Sequence, residues 1–260
     1  GAAGVGIARQ LRDALQREGL TGDALKHAVA VLDSGGLLVD DTDYDDAHKR
    51  EFAWPAAMAG QAGLGAGRRG LLAVITALRP TVLIGTSGQP GAFDEMSVRA
   101  MAAAVTRPVI LPFSNPTTYS EATPADLLRW TDGRALVATG SPFDPVIFNG
   151  ETREVAQGNN VYIFPGVGLG ALAARATRVD DRLFTIAAET LAGCVSEEFL
   201  ERGRLYPALP QLRDISRRIA VDVAMEAVNL GDAASADRAE MERRVRALMW
   251  EAVYPRFNPV

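Results

Sequence analysis

The sequence feature that most constrains the fold is an alternation of short apolar segments with segments of helical periodicity. Three apolar segments have the β-branched composition of buried strands: 81–87 (TVLIGTS), 107–113 (RPVILPF) and 134–140 (RALVATG). Segments with helical spacing lie before and between them, at 70–78, 94–104 and 123–129. This alternation predicts an α/β fold in which a doubly wound, Rossmann-like parallel sheet carries helices on both faces.

The first 33 residues have the pattern of a phosphate-binding unit. The chain opens as GAAGVGIA, and helical periodicity follows from Ile7 to Arg17. Glycines at a helix N-terminus leave backbone N–H groups bare and let a phosphate approach the main chain, which predicts a pyrophosphate site. A flexible glycine-rich start is the alternative for this segment alone. The segment 27–33 (HAVAVLD) predicts a further buried parallel strand ending in Asp33, whose carboxylate is a candidate acceptor for adenosine ribose hydroxyls.

A dinucleotide fingerprint requires a strand before its glycines, and no residue precedes Gly1 in this sequence. We therefore expect the chain to be a fragment that lacks the first strand of its sheet. The segment 40–46 carries five aspartates, which would repel a ribose 2′-phosphate unless Lys or Arg countered them. This run favours NAD over NADP, although it is also typical of a solvated loop.

Polar residues follow each predicted strand, where parallel sheets bind their ligands. Besides Asp33, the strand ends carry 85–88 (GTSG), 114–116 (SNP) and 140–142 (GSP). These amides and hydroxyls hold and orient a ligand without transferring protons. His27 and His48 do not follow strands, so we expect both to be structural or solvated, and Cys194 to be a small buried hydrophobe.

The second half of the chain is predicted to be helical. The segment 157–160 (QGNN) precedes an apolar run whose Gly166, Gly168 and Gly170 allow close helix packing. Asn159 and Asn160 either cap this helix or fix a carboxylate or carboxamide. Apolar stripes at helical spacing follow in three groups: Leu183, Ala187, Leu191, Val195 and Phe199; Leu212, Ile215, Ile219, Val223 and Ala227; Met241, Val245 and Leu248. We expect a nucleotide-binding domain over 1–175 and C-terminal helices over 176–260.

Composition excludes several classes of protein. The 260 residues are 48% hydrophobic, with a net charge of −5 and one cysteine. The acidic balance, with no cluster of Lys and Arg, argues against a nucleic-acid partner. The sequence has no apolar stretch of the ~18 residues that a membrane helix needs. One cysteine forms no internal disulfide framework, so we expect a cytoplasmic protein.

Several motifs together resemble the malic enzymes and their malolactic relatives. The longest are 113–146 (FSNPTTYSEATPADLLRWTDGRALVATGSPFDPV) and 157–173 (QGNNVYIFPGVGLGALA). The segments 83–93 (LIGTSGQPGAF), 203–209 (GRLYPAL) and the opening GAAGVGIA match in the same order. The resemblance covers essentially the whole chain and implies the NAD(P)-binding domain of that family with its C-terminal helices. It implies oxidative decarboxylation of L-malate to pyruvate and CO₂ with reduction of NAD or NADP.

The resemblance also assigns roles to individual residues. It implies pyrophosphate contacts at Gly1, Ala2, Ala3 and Gly4, a ribose contact at Asp33, and cofactor contacts at Ser87 and Gly88. By the same resemblance, the amides that contact the nicotinamide half of the cofactor or the malate are Asn115, Asn159 and Asn160. Ser34 stands where a number of family members carry Lys or Arg, so the choice between NAD and NADP stays open.

The resemblance implies that important groups lie elsewhere. Family members carry the proton-transferring Tyr and Lys, the malate-binding Arg and the three metal-binding acids upstream of the glycine fingerprint. We therefore expect no catalytic or metal-binding residue in this chain, and a Mg²⁺ or Mn²⁺ held by residues outside it. The chain alone is expected to be inactive towards malate. We expect a homo-oligomer as its native assembly.

Three other functions remain open at this stage. A malolactic enzyme would convert malate to lactate and CO₂, and product analysis separates it from a malic enzyme. A non-catalytic module that binds NAD or another nucleotide would bind cofactor without an upstream domain. A structural fragment would form oligomers through its helices even after Asn115 and Asn160 are replaced by Ala.

Overall fold

The computed structural model describes residues 1–251, and packing divides the chain into two compact units. The sheet unit comprises Gly1–Gly158 with Glu198–Tyr206, and the helical unit comprises Asn159–Glu197 with the chain from Pro207. The domain division after residue 175 stays a prediction. The last residues of its second part, 252–260, lie outside the described residues.

The bounds of the elements are as follows. The strands are β1 Leu32–Asp33, β2 Gly36–Leu37, β3 Val82–Gly85, β4 Val109–Pro112, β5 Leu136–Thr139, β6 Val146–Phe148, β7 Glu151–Arg153 and β8 Ala156–Gln157. The helices of the first half are α1 Ala2–Arg17, α2 Gly22–Ala28, α3 Ala47–Glu51, α4 Ala56–Gln61, α5 Leu71–Leu78, α6 Glu95–Ala104 and α7 Pro124–Trp130. The helices of the second half are α8 Phe164–Ala174, α9 Asp181–Ala192, α10 Glu197–Glu201, α11 Leu212–Asn229 and α12 Arg238–Leu248.

The sheet unit is built on a parallel four-stranded sheet with the spatial order β3, β4, β5, β8. Val82 pairs with Val109, and Val109 pairs with Leu136, so the strands run in register. Their carboxyl ends therefore meet at one edge of the sheet. The predicted α/β class is confirmed, because each of the three strands predicted from an apolar segment forms and flanking helices connect them.

The core of the sheet unit lies between these strands and helices α5, α6 and α7. Ile75, Val98, Met101, Ile110 and Leu127 are each at most 1% exposed. Burying a side chain of this size contributes about 1.5 to 3 kcal/mol. The apolar residues that recur at helical spacing in the sequence therefore form the faces by which these three helices pack on the sheet.

Two of these helices begin at side-chain caps that the sequence indicates. The side chain of Asp94 accepts a hydrogen bond from the backbone N–H of Ser97 at the start of α6. The Thr123 side chain does the same for Asp126 at the start of α7, where Pro124 occupies the first helical position. Such caps each contribute about 1 kcal/mol and fix where the loops at the carboxyl edge end.

The prediction of a parallel strand over 27–33 is wrong. His27 lies in α2, and Asp33 lies in β1, which pairs antiparallel with β2 as a short hairpin. A parallel strand needs a neighbour to complete its hydrogen bonds, and among residues 1–251 no strand pairs with this segment in parallel. Its carbonyl groups bond elsewhere: that of Val29 accepts from the indole of Trp54, and that of Val31 accepts from Leu38.

The hairpin of β6 and β7 was not predicted, although the sequence carries its signal. Asn149 and Gly150 connect the two strands, and both have positive φ angles, of 51° and 80°. An Asn-Gly pair between apolar and alternating residues is the strongest short-range hairpin signal. The sequence 146–153 (VIFNGETR) carries this pair between its two strands.

The helical unit is held together by close packing of α8 on α11. A Cβ atom added at Gly166 would lie 2.6 Å from the Cβ of Ile219, and one at Gly170 would lie 2.5 Å from the carbonyl oxygen of Ala220. The predicted role of these two glycines is confirmed. That of Gly168 is wrong, because a Cβ there would meet nothing within 4 Å.

The predicted apolar stripes are largely buried in this unit. Helices α9, α11 and α12 bury Leu183, Ala187, Leu191, Ile215, Ile219, Val223, Ala227, Met241 and Val245. Val195 and Phe199 lie beyond the end of α9, because the helix stops at Ala192, and Leu248 is 54% exposed. Within residues 1–251, every helix is too short or too polar to span a lipid bilayer.

Candidate functional site

The N-terminus of α1 lies at the carboxyl end of β3. Gly1 is the N-cap, and no side chain caps the helix or places an acidic group in its first turn. Ala2, Ala3 and Gly4 form the first turn of the helix, where N–H groups have no partner within the helix and the helix dipole is positive. A Cβ at Gly4 would lie 2.9 Å from Oγ1 of Thr86, the residue after β3. Any larger residue at this position would force the Thr86 side chain to shift.

Asp33 is held in place by two hydrogen bonds. Its Oδ1 accepts from the N–H of Gly35 at 2.8 Å, and its Oδ2 accepts from Nζ of Lys49 at 2.6 Å. Burial acts to raise the pKa of Asp33, but the bonds from Lys49 and Gly35 and the charge of Lys49 outweigh it, so the pKa lies below its ordinary value. Asp33 is therefore an ionised acceptor of fixed orientation.

Lys49 is a residue that the sequence interpretation missed. The hydrogen bond and charge of Asp33 raise the pKa of Lys49. The predicted preference for NAD required that no Lys or Arg counter the acidic segment, and Lys49 supplies such a charge beside Asp33. In the sequence the only signal was the short basic run 49–50, which follows the aspartates.

The aspartates of the segment 40–46 are largely occupied within the fold. Asp41 forms a two-bond ion pair with Arg69, with distances of 2.7 and 2.6 Å. The hydrogen bonds and charge of Arg69 lower the pKa of Asp41. Asp40 accepts from the N–H of Ala56, and Asp46 caps α3. Three of the five aspartates thus hold the loop, although all five side chains remain exposed.

Ser87 and Gly88 are both exposed at the carboxyl end of β3, next to Thr86. Their hydrogen-bond donors, however, are used within the fold. The N–H and the hydroxyl of Ser87 both donate to Oε1 of Glu121, at 2.7 and 2.8 Å, and the N–H of Gly88 donates to Oγ of Ser114 at 2.8 Å. The sequence interpretation also missed Glu121, which is 0% exposed.

Asn115 lies at the carboxyl end of β4, and its side chain bridges to the end of β5. Its Nδ2 donates to the carbonyl of Phe113 at 3.0 Å, and its Oδ1 accepts from the hydroxyl of Ser141 at 2.6 Å. The residue is exposed, and the peptide bond between Asn115 and Pro116 is cis. One Nδ2 hydrogen remains for a ligand, because the amide nitrogen carries two.

Asn159 and Asn160 open the helical unit. The Oδ1 of Asn159 accepts from the N–H of Val161 at 2.9 Å, so this side chain caps a short 3₁₀ turn over Asn160–Tyr162. Both asparagines are exposed. Asn159 therefore caps this turn and not α8, whose N-cap Ile163 makes no side-chain capping bond, and the ligand contacts of the two asparagines stay predictions.

The two histidines and the cysteine have structural surroundings. The ring of His27 stacks on Trp54 at a centroid distance of 4.7 Å, and Nδ1 of His48 lies 2.8 Å from Nη2 of Arg9. Burial raises the pKa of the Cys194 thiol, which disfavours the reactive thiolate. Across residues 1–251, no group of three or more His, Cys, Asp or Glu side chains is arranged to hold a metal ion.

The structure thus brings four of the predicted features together at the carboxyl edge of the sheet unit: the start of α1, Ser87, Gly88 and Asn115. Bare N–H groups at α1 attract an anion. At the ends of β3 and β4, the N–H groups of Ser87 and Gly88 donate within the fold, and the Asn115 amide keeps one hydrogen for a ligand. Such a division of donors and acceptors suits an elongated ligand with a phosphate group and several hydroxyls.

Comparison with known proteins gives consistent matches along the chain. The sequence pattern of the family described as "Malic enzyme, NAD binding domain" matches residues 1–228. The NAD-dependent malic enzyme of Pseudomonas aeruginosa (strain UCBPP-PA14) is 42% identical over 99% of this chain, which spans 45% of that protein. NAD-dependent malic enzyme 3 of Bacillus subtilis is 41% identical over the whole chain, again 45% of its own length.

Solved structures share the fold. The malic enzyme of Entamoeba histolytica aligns with a TM-score of 0.64 over 84% of this chain, at 22% sequence identity and 41% coverage of its own chain. That of Pyrococcus horikoshii aligns with a TM-score of 0.56 over 82% of this chain, at 24% identity and 43% coverage. The chain spans slightly less than half of each of these relatives.

Proposed function

We propose, from the premise that this chain belongs to the malic enzyme family, that it is the cofactor-binding part of an NAD-dependent malic enzyme. The complete enzyme would oxidise and decarboxylate L-malate to pyruvate and CO₂ while it reduces NAD. The single observation that carries the proposal is the match to the family over residues 1–228. The uncapped start of α1 against β3 is the structural feature that fits it.

The start of α1 is proposed to bind the pyrophosphate. The N–H groups of Ala2, Ala3 and Gly4 donate to its oxygens, and the helix dipole favours its charge. A dinucleotide in this fold lies across the carboxyl ends of the strands. Its adenosine half would then extend towards Asp33 and its nicotinamide half towards Ser87, Gly88 and Asn115.

We propose NAD rather than NADP as the cofactor. The relatives named above are NAD-dependent, and the ionised Asp33 accepts hydrogen bonds from ribose hydroxyls but repels a 2′-phosphate. Lys49 would favour NADP if it were free, but its charge is balanced by Asp33 at 2.6 Å. Bound NAD supplies the hydride acceptor for malate oxidation.

Asn115, Asn159 and Asn160 are proposed to orient the nicotinamide carboxamide and the malate. Asn115 keeps one amide hydrogen for this purpose, and its orientation is fixed by Ser141. Its amide contributes no proton to the reaction, because an amide donates and accepts hydrogen bonds without ionising. These residues bind and orient, and we assign no catalytic role within this chain.

A divalent metal does not fit the described residues. Decarboxylation of a β-keto acid is assisted by a Lewis acid and a general acid. Residues 1–251 offer no cluster of ligands for such an ion. We propose that the Mg²⁺ or Mn²⁺ expected for the family is held by residues outside this chain, and that its native state is a cytoplasmic homo-oligomer.

The test is a titration of this chain with NADH, followed by nicotinamide fluorescence. Wild type and Gly6→Ala are expected to bind alike, because a Cβ at Gly6 meets nothing within 4 Å. Gly4→Ala should bind about tenfold more weakly, because its Cβ displaces Thr86 at the pyrophosphate site. The same preparations should form no NADH from malate and NAD. Equal binding by Gly4→Ala and Gly6→Ala, or turnover of malate, would contradict the proposal.

A further inference from the structure

Glu121 has a buried carboxyl group, and the proposed binding mode assigns no role to it. It is 0% exposed and follows the 3₁₀ turn over Thr117–Tyr119. The groups that bond to its carboxyl oxygens among residues 1–251 are uncharged N–H and hydroxyl groups of Ser87 and Ser114. Isolated buried carboxylates are costly, because the charged form loses its hydration. A residue of this kind therefore needs compensation by hydrogen bonds.

Four donors from two strand ends provide this compensation. Oε1 accepts from the N–H and hydroxyl of Ser87 and, at 2.5 Å, from the hydroxyl of Ser114. Oε2 accepts from the N–H of Ser114 at 3.3 Å. A Cβ at Gly85 would lie 2.5 Å from the carboxyl carbon, so β3 ends in glycine where Glu121 passes beneath it. The carboxylate thus ties the end of β3 to the end of β4.

The two serine hydroxyls also accept hydrogen bonds from the next residues of the loop. The hydroxyl of Ser114 accepts from the N–H of Gly88, and that of Ser87 accepts from the N–H of Gln89 at 3.1 Å. Gly88 has a φ angle of 65°, a left-handed conformation that these bonds maintain. Three successive N–H groups, at positions 87–89, consequently point into the fold.

The start of α1 and the loop at 87–89 therefore differ in the hydrogen-bonding groups that they offer to a ligand. At α1 the N–H groups are bare and favour phosphate. At 87–89 the N–H groups already donate within the fold, so a ligand there meets backbone acceptors and no bare N–H group. Acceptors of this kind bind hydroxyl or amide donors and disfavour phosphate. Ribose hydroxyls and a carboxamide are such donors.

We propose that Glu121 is a positioning residue for the non-adenosine half of the dinucleotide. It holds the loop 86–89 and the adjoining Ser114 and Asn115 in the arrangement that receives the second ribose and the nicotinamide. It touches no part of the cofactor itself. The proposal rests on the proposed function, because it presupposes that the pyrophosphate binds at α1.

The test compares two ligands on the same protein, ADP and NADH. ADP reaches only α1 and the Asp33 side, whereas NADH also needs the loop at 86–89. Glu121→Gln keeps the size of the side chain but turns an NH₂ group towards groups that are themselves donors. We expect about tenfold weaker binding of NADH and a change of less than twofold for ADP. The control Glu226→Gln, which breaks the ion pair with Arg182 in the helical unit, should change neither affinity.

A second pair of variants covers the case in which Glu121→Gln does not fold. Ser114→Ala removes the hydroxyl that links Glu121 to Gly88. Ser120→Ala changes a residue that is equally buried, at 7% exposure, and whose hydroxyl, among the described residues, bonds only to the carbonyl of Ala122. Ser114→Ala should weaken NADH binding selectively, and Ser120→Ala should bind both ligands as wild type does.

The outcomes separate the inference from the function it rests on. If wild type binds neither ADP nor NADH, the proposed function fails and this inference fails with it. If wild type binds both but the loss is equal for the two ligands in Glu121→Gln and Ser114→Ala, Glu121 has only a general structural role. Unchanged affinity for both ligands in these variants would also overturn the inference.

Discussion

Asp33 and Lys49 together determine the charge at the proposed adenosine ribose site. Asp33→Asn keeps an oxygen that can accept from Gly35, but it removes the negative charge that pairs with Lys49. We expect NADH to bind about tenfold more weakly, because a hydrogen bond to a charged acceptor contributes about 1.5 to 3 kcal/mol. NADPH should lose less affinity, since Lys49 is then free to meet the 2′-phosphate. Titration of both nucleotides measures the difference.

The matched control for this residue is Asp41→Asn. Asp41 is also ion-paired, with Arg69 at 2.6 Å, and belongs to the same acidic segment. It has no proposed contact with the cofactor, so both nucleotides should bind this variant as they bind wild type. Equal losses in the two variants would mean that the whole acidic segment, and not Asp33, influences binding.

Single residues at strand ends were accessible to sequence reasoning, but their partners were not. Asp33 ends one apolar segment and Asn115 stands two residues after another, so local pattern placed both at strand ends, and the family resemblance gave Asn115 its role. Glu121 and Lys49 act through Ser87 and Asp33, which lie 34 and 16 residues away in the chain. Contacts across such separations depend on the tertiary fold, and a lone Glu or Lys in a polar loop resembles any solvated side chain.

The packing of α8 on α11 allows a test of how a glycine within a helix affects the stability of the protein. Gly170→Ala should destabilise the protein by about 1 to 3 kcal/mol, because its Cβ would lie 2.5 Å from the carbonyl oxygen of Ala220. Gly168→Ala should stabilise it by about 0.5 to 1 kcal/mol, because this Cβ meets no neighbour and alanine favours the helix. Urea denaturation of both variants gives the two signs, and a gain in Gly170→Ala would contradict the packing.

Strands were predicted correctly where a local sequence pattern is compatible with only one kind of secondary structure. The segments at β3, β4 and β5 are apolar, bounded by turn residues and separated by helices, and this combination occurs in parallel sheets. The segment 27–33 has the same composition, yet its first two residues end α2 and its last two form β1, which the turn at Ser34 and Gly35 pairs antiparallel with β2. Composition alone does not distinguish a buried strand from one arm of a hairpin.

At the scale of the whole molecule, the chain leaves the sheet unit after Gly158 and returns to it for Glu198–Tyr206. Arg107 donates to the carbonyls of Leu200 and Glu201 across separations of 93 and 94 residues, and Arg204 pairs with Glu154 at 2.6 Å. The local periodicity of the sequence does not indicate that residues 198–206 return to the sheet unit. This is why the sequence suggested one division after residue 175, whereas the packing divides the chain at three points, after residues 158, 197 and 206.

The returning segment should contribute measurably to the stability of the sheet unit. Two truncated chains, ending at residues 196 and 206, lack α11 and α12 alike and differ mainly in this segment. The longer one keeps the contacts of Arg107 and Arg204, so its sheet unit should be more stable by about 1 to 2 kcal/mol. Urea titration followed by the fluorescence of Trp54 and Trp130, both in that unit, measures the difference. Identical midpoints would mean that residues 198–206 lie on the sheet unit without stabilising it, and a single boundary near residue 175 would then describe the chain better.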